Sequence, residues 1–288
     1  MKFGLAFGSA VAIDGAAALE LCKTAESVGF ESVWAGEHVI IPSKIDSPYP
    51  YTEDGKIPAQ PDTPIPDPLI WLAYAAACAP TLRLGTCILI LPQRNPLILA
   101  KELATLDRLS GGRVELGIGV GWMKEEFDAL GLPWEARGAR SDEYVEAMRL
   151  LWSGPEVEFH GRFVDFDVVT SSPRPTGGNI PIIVGGDTER ALNRAARLAD
   201  GYFPGSTNAE QLKGLIDSLH GKLKEKGRDP KDVEISAIFG EQMTDPKAGV
   251  AQMTEIGVGR LMVPAFFFAG EGGIDRLAEF GETVIKGV

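Results

Sequence analysis

Runs that read as strands alternate with runs that read as helices along the whole chain, and this alternation restricts the fold more than any other feature. The strand candidates are 3–8, 32–35, 82–91, 114–118, 180–184, 201–203, 234–239 and 260–263. The helix candidates fall between them, at 15–28, 68–79, 97–109, 141–152, 188–198, 209–226, 247–256 and 274–286. Eight strands alternating with eight helices in 288 residues predict one α/β domain, a (β/α)8 TIM barrel. A doubly wound open sheet is the alternative. Two insertions break the rhythm, one after the second strand and one between the fourth and fifth. The first, 42–68, holds eight prolines together with Tyr49 and Tyr51, and at the mouth of a barrel it reads as a lid or a rigid surface excursion. The second, 154–175, contains Glu158-Phe-His-Gly-Arg-Phe-Val-Asp-Phe166, a small hairpin around a His-Gly turn.

Composition removes several function classes. Forty acids against 28 bases leave a net charge of −12, which argues against a nucleic-acid binder. No apolar run reaches the ~18 residues of a membrane-spanning helix. Lys2 before an apolar stretch faintly resembles a signal peptide, but an ordinary amphipathic helix follows, so the segment reads as the first strand. Cys22, Cys78 and Cys87 form no CxxC pair and leave one thiol over, as expected of a reduced, cytoplasmic protein. Three histidines far apart, with no HxH or HExxH, predict no metal site. The absence of a G-x-S-x-G elbow argues against an α/β-hydrolase.

A barrel carries its chemistry at the C-terminal ends of its strands. The second strand ends in Trp34-Ala-Gly-Glu37-His38, and His38 is the one histidine at a strand end. It can hydrogen-bond a bound ring or move a proton near neutral pH, or it can merely cap the strand. Glu37 is either its orienting partner or a partner at the bottom of the barrel. In the third strand Thr86 and Cys87 are the central side chains with polar atoms; by themselves they read as core. The fourth strand, from Val114, runs into Gly117, Gly119, Gly121 and Trp122. Alternating glycines there mark a close approach to the backbone or a tight turn. This is not the dinucleotide fingerprint, because Lys124 and Glu125 stand where its third glycine belongs. After the fifth strand, Gly185-Gly-Asp-Thr188 opens a helix, either as a phosphate cradle or with Asp187 as a plain cap. Phe266-Phe-Phe268 walls a pocket, packs in the core or forms a dimer contact.

Taken together, Trp34-Ala-Gly-Glu-His38, Leu84-Gly-Thr-Cys-Ile-Leu89, Asn95-Pro96, Thr105-Leu-Asp-Arg-Leu-Ser-Gly-Gly-Arg113, Gly117-Ile-Gly-Val-Gly-Trp122 and Ile183-Val-Gly-Gly186 are specific. In this order and spacing the chain resembles the bacterial luciferase-like superfamily of flavin and deazaflavin oxidoreductases, and most of all its coenzyme F420-dependent class. The resemblance implies a ring cofactor in the barrel mouth, with His38 as its catalytic neighbour and Glu37 as a possible tuning partner. It implies cofactor contacts from Thr86, Cys87 and Ile88, the last two at a bulge that is often a non-proline cis peptide. It implies further contacts from Gly119, Val120, Gly121 and Trp122, and a phosphate site at Gly185, Gly186, Asp187 and Thr188. Two positions depart from the family. Val120 replaces the arginine of FMN-using luciferases, which favours the deazaflavin, and Trp122 replaces the glutamate proton donor of deazaflavin sugar-phosphate dehydrogenases. The expected protein is thus an F420-dependent oxidoreductase acting on an apolar small molecule, as a homodimer. The alternatives are an FMN-dependent monooxygenase fed by a reductase partner and a non-catalytic flavin or deazaflavin carrier.

Overall fold

A computed structural model describes residues 1–57, 60 and 62–287. The first half of the chain runs β1 (Lys2–Ala6), α1 (Gly8–Val11), α2 (Gly15–Ser27), β2 (Ser32–Ala35), α3 (Pro68–Cys78), β3 (Arg83–Thr86), β4 (Leu89–Ile90), α4 (Pro96–Ser110) and β5 (Val114–Gly119). It continues through α5 (Lys124–Ala129), α6 (Arg137–Ser153), β6 (Val157–His160), β7 (Asp165–Val169), β8 (Ile182–Gly185), α7 (Glu189–Leu198) and β9 (Gly201–Phe203). It ends with α8 (Ala209–Glu225), β10 (Glu234–Ile238), α9 (Pro246–Glu255), β11 (Arg260–Pro264) and α10 (Gly273–Phe280). Strand β1 pairs in parallel with β2 and β11, β2 pairs with β3, and β3 and β4 both pair with β5. The order then runs β5, β8, β9, β10, β11, which closes an eight-stranded parallel barrel in which β3 and β4 are two halves of one strand. The open-sheet alternative is thereby excluded. No helix of the described residues is long and apolar enough to cross a membrane.

Local sequence explains where most helices start. Asp14, Asp67, Asn95 and Asn208 each accept hydrogen bonds from the first free amides of the helix behind them. Pro68 and Pro96 occupy first helical positions, where a missing N–H costs nothing.

Several boundaries differ from the sequence reading. The first strand stops at Ala6, because Phe7 adopts the left-handed region (φ 59°) and turns the chain into α1. The third strand divides at Cys87–Ile88, where the peptide bond is cis. An additional helix, α5, follows the glycine run, and α6 begins at Arg137 rather than Ser141. The hairpin forms as β6 and β7, with Glu143 of α6 accepting the amides of Arg162, Phe163 and Val164 across its turn.

The barrel interior is filled in two tiers. At the lower end Arg260 is completely buried and pairs with Glu31 (2.6 Å), Glu115 (2.9 Å) and Glu234 (3.0 Å). Arg83 joins through Glu115. Above this cluster lies the indole of Trp34, 5.1 Å from the Arg260 guanidinium, with its N–H donated to Ser32 Oγ at 2.7 Å. Gly85, directly across from Trp34 in the register, makes the room: a Cβ there would lie 2.1 Å from the indole. Removing one member of a buried ion cluster leaves the others uncompensated, at a cost of about 3–5 kcal/mol. Arg260→Leu is therefore expected to lose about that much stability, read as a lower urea midpoint. A midpoint within about 1 kcal/mol of wild type would show that the carboxylates find compensation elsewhere.

Candidate functional site

The C-terminal ends of the strands open on one face of the barrel. The floor of this mouth is apolar. Phe7, Ile88 and Ile238 are half-buried there and pack on a buried group of Ala6, Trp34, Cys87, Ile183, Phe203 and Met262. The glycine run serves that floor. A Cβ on Gly117 would stand 1.9 Å from the Thr86 carbonyl oxygen, and one on Gly119 would stand 1.8 Å from Ile88 Cδ1. At Gly121 φ is 79°, and a Cβ would lie 2.7 Å from the Phe127 ring. The space opened by the three glycines is thus filled by the broken third strand and by α5. Val120 and Trp122 remain half-buried on the rim. Thr86 is buried and donates its hydroxyl proton to the Gly117 carbonyl at 2.7 Å, so its side chain belongs to the core and has no donor left for a ligand. Burial pushes the Cys87 thiol up to about 12, which keeps it protonated and unreactive at neutral pH.

His38 stands on the rim beyond β2. Its Nδ1 is 3.0 Å from Glu126 Oε2, and the other carboxylate oxygen of Glu126 accepts the Val39 N–H at 2.7 Å. A proton on Nδ1 satisfies the first contact and leaves Nε2 as the free ring nitrogen. The ring also meets Trp122 edge-on at 6.0 Å. The expected partner of His38, Glu37, is engaged elsewhere. Its buried carboxylate accepts the Ile90 N–H at 2.5 Å and pairs with Arg94, which also reaches Asp67 at 2.7 Å. Glu37 therefore fastens the end of the third strand to the start of α3, and Glu126 holds the histidine. Gln93 lies beside Glu126, yet neither of its buried amide ends makes a hydrogen bond of normal geometry.

The 42–68 insertion passes over this rim; Pro58, Ala59 and Pro61 lie outside the described residues. Glu125, the neighbour of Glu126, accepts the amides of Asp46 and Ser47 at 2.9 and 3.0 Å. Tyr49 packs edge-on against Trp122 (5.1 Å) and Tyr51 (5.5 Å). Tyr51 extends to the turns after β8 and β9, where a Cβ on Gly205 would lie 2.1 Å from its ring. On those turns the roles within Gly185–Thr188 differ from expectation. Thr188 caps α7, its hydroxyl accepting the Ala191 N–H at 3.2 Å. Asp187 instead accepts the Gly205 N–H at 2.6 Å and braces the turn after β9, while burial holds its carboxyl above the ordinary value. Gly186 takes φ 108°, a conformation that few other residues adopt. The Phe266–Phe268 run divides: Phe268 enters the core, whereas Phe266 and Phe267 are exposed and Phe266 stacks on Phe7 at 5.6 Å.

Four contributors escape the sequence reading: Phe7, Gln93, Glu125 and Glu126. The acidic pair in the first turn of a helix directly after the glycine run was the available signal, since carboxylates favour that position. The arrangement as a whole can hold a flat, partly apolar ring. An apolar floor, an unsatisfied amide at Gln93 and a histidine with one free nitrogen suit a heterocycle with both donors and acceptors on its edge. Among the described residues no group of three His, Cys, Asp or Glu could hold a metal ion.

A family model described as luciferase-like monooxygenase matches residues 1–252. An uncharacterized protein of Mycobacterium tuberculosis is 34% identical over 246 residues, covering 85% of this chain and 83% of that protein. An FMNH2-dependent dimethylsulfone monooxygenase of Pseudomonas putida is 35% identical over 178 residues, spanning 60% of this chain and 49% of that enzyme. Among solved structures, the coenzyme F420-dependent tetrahydromethanopterin reductase of Methanopyrus kandleri aligns with a TM-score of 0.77 at 20% identity over 99% of each chain, a likeness of fold.

The Glu126 contacts make a pH-dependent contribution to stability. Burial alone would raise its pKa. The hydrogen bond and charge of His38, the approach of Gln93 and the Val39 N–H together outweigh burial and leave Glu126 below its ordinary value of 4.5. The folded protein thus binds this proton less readily than the unfolded chain. The resulting stability is fully present above pH 4.5 and is lost as pH falls through the folded value. Glu126→Gln is expected to be about 1.5–3 kcal/mol less stable than wild type at pH 7, with a smaller gap below pH 4.5, as read from urea midpoints. A gap that stays constant with pH would remove the carboxylate charge from the account.

Proposed function

The chain belongs to the luciferase-like monooxygenase family, and on that premise we propose that it is an oxidoreductase passing a hydride between coenzyme F420 and an apolar organic substrate. The observation that carries this reading is His38, held through Nδ1 by a buried carboxylate at the edge of an apolar barrel mouth, with one ring nitrogen free. The deazaflavin, when bound, supplies the hydride chemistry. Ile88, Phe7 and Ile238 provide the surface against which its ring lies, and Gln93 offers an amide to its polar edge. Hydride transfer to a carbonyl-type carbon must be matched by a proton on the neighbouring oxygen, and His38 Nε2 is the group that gives or takes it. Glu126 fixes the tautomer that makes this possible, and so acts as a positioning residue. The 42–68 segment serves as a lid. Tyr49 and Trp122 exclude water from one side of the ring, and Phe266 and Phe267 extend the apolar wall that selects the substrate. Val120 in the glycine run supports the deazaflavin over FMN.

A second reading, an FMN-dependent monooxygenase supplied by a reductase, is favoured by the 35% identity to the FMNH2-dependent dimethylsulfone monooxygenase. The likeness covers half of that enzyme. We further read the protein as a homodimer, and as cytoplasmic, with which its three buried, free cysteines agree.

The two readings separate in one titration. Purified protein stripped of cofactor is expected to bind F420 more tightly than FMN, followed by tryptophan fluorescence. A substrate screen then follows the loss of deazaflavin absorbance. His38→Ala is expected to bind F420 as wild type does and to lose turnover by more than about tenfold. Preference for FMN together with oxygen uptake in the presence of a flavin reductase would establish the second reading. Unchanged turnover in His38→Ala would end the role of that residue.

A further inference from the structure

The C-terminal face carries a second recess, outside the ring floor. Strands β9 and β10 end in Phe203 and Ile238, which belong to that floor, and the turns behind them lead outward to the starts of α8 and α9. Between these two helix starts lies a cleft of about 590 Å³. Its acids are Glu210 in the first turn of α8, Glu241 in the short 3-10 turn Glu241–Thr244, and Asp245 at the start of α9. All three are exposed, and no lysine, arginine or histidine lines the cleft among the described residues. The lysines nearest along the chain are placed elsewhere. Lys213 pairs with Asp217 at 2.5 Å. Lys247 lies with Val250, Ala251 and Thr254 on the other side of α9 from Ala248, Gly249 and Gln252.

A buried amide in the cleft wall is left with an open acceptor. Gln242 is 7% exposed, and Gly249 makes room for its stem: a Cβ there would lie 2.5 Å from the Gln242 Cβ. Its Nε2 donates to the Thr207 carbonyl at 3.2 Å, which fixes the orientation of the amide and leaves Oε1 without a hydrogen bond. A buried acceptor with no donor is unfavourable, and a donor brought by a ligand would relieve it. The carboxylates keep acceptor capacity as well. Asp245 gives one oxygen to the Ala248 N–H as the cap of α9, and Glu241 gives one to the Thr207 hydroxyl, each at 3.2 Å. The Glu210 carboxylate makes no hydrogen bond among the described residues.

Charge and its distribution identify the class of ligand. The N-terminal ends of α8 and α9 contribute about +0.5 elementary charge each, which offsets one of the three carboxylates and leaves about −2. Among the described residues no three acids converge on a point where a metal ion could sit. A charge spread along a cleft is matched by an elongated cation with separated charges. We propose that this cleft binds a linear aliphatic polyamine, its ammonium groups taken up by Glu210, Glu241 and Asp245 and one N–H by Gln242 Oε1. Ammonium groups are donors only, as a wall of open acceptors requires. The methylene segments between them fit the small side chains of Ala209 and Ala248 and the bare backbone at Gly249. The site lies apart from His38 and the apolar floor, so it stands independently of the ring reading.

Titration calorimetry of the purified protein with spermidine tests the site. Wild type is expected to show one saturable site with a Kd below about 1 mM at low salt. Glu210→Gln and Glu241→Gln, both at exposed positions, are each expected to weaken binding about threefold or more, and the double variant by more than about tenfold. Gln242→Met, which removes the open acceptor at similar volume, is expected to weaken binding about threefold; if this buried change prevents folding, the two glutamate variants decide. The net charge of −12 attracts any cation diffusely, so Glu158→Gln with Asp165→Asn on the exposed β6–β7 hairpin serves as control. That pair is expected to leave the affinity unchanged, because distant surface charges are screened. Absence of a saturable site, full affinity in the Glu210→Gln, Glu241→Gln double variant, or an equal loss in the hairpin variant overturns the proposal. Full affinity in a folded Gln242→Met protein overturns it too, since it would leave an acidic patch without a built site.

Discussion

Arg260 at the lower end of the barrel is the constraint on which the rest of the molecule depends. An eight-stranded barrel encloses just enough room for side chains, and each tier must be filled. This chain places a guanidinium in the lowest tier and surrounds it with Glu31, Glu115 and Glu234 from three different parts of the barrel wall. Burying one charge without these partners would be prohibitive, so the cluster forms only when β2, β5, β10 and β11 are all in register. Trp34 lies on top of it, and Gly85 gives way to the indole. With the lower half so firmly occupied, an open volume can persist only at the strand C-terminal ends.

The upper end is organised by two adjacent carboxylates with different duties. Glu126 turns inward and holds His38 together with the backbone at Val39; Glu125 turns outward and holds the insertion at Asp46 and Ser47. Both belong to α5, a helix of six residues. The proposed proton-transferring group and the proposed lid are therefore fastened to the same turn of backbone. A movement of the insertion that pulls on α5 reaches His38 directly, through two hydrogen-bonded carboxylates. Trp122 reinforces the link, since it contacts both the His38 ring and Tyr49.

Much of the architecture was legible in the sequence, because hydrophobic periodicity and helix caps are local properties. The eight barrel strands lie close to their expected positions, and His38 stands at a strand end as expected. What escaped was non-local. Nothing local distinguishes Glu37 from Glu126 as the partner of His38; the choice is made by Arg94, 57 residues further on, which claims Glu37. Thr86 and Asp187 looked available to a ligand, and each is taken up by a backbone group of a neighbouring strand or turn. Thr188 rather than Asp187 caps α7, a shift of one residue that composition could not decide, because both types cap helices well. The glycines at 117, 119 and 121 read as a close approach to the backbone or a tight turn, and in the fold Thr86, Ile88 and Phe127 pack against them.

Charge supplies the last link between the fold and the proposed cofactor. A nucleotide with a phosphate is an anion, and this chain carries a net charge of −12. At physiological salt the field of distant surface charges decays within about 8 Å, so local arrangement outweighs the total. A cleft of about 590 Å³ between the starts of α8 and α9 is lined by Glu210, Glu241 and Asp245 and would repel such a ligand. The rim between β5 and α7 is the reverse. There the Arg137 side chain donates to the Gly121 carbonyl, and the nearby Asp142 and Glu189 are already paired with Arg194, Arg197 and Lys222. Local positive charge on an otherwise acidic molecule favours an anion there over the surrounding surface, so the net charge of −12 is no bar to a cofactor that carries a phosphate.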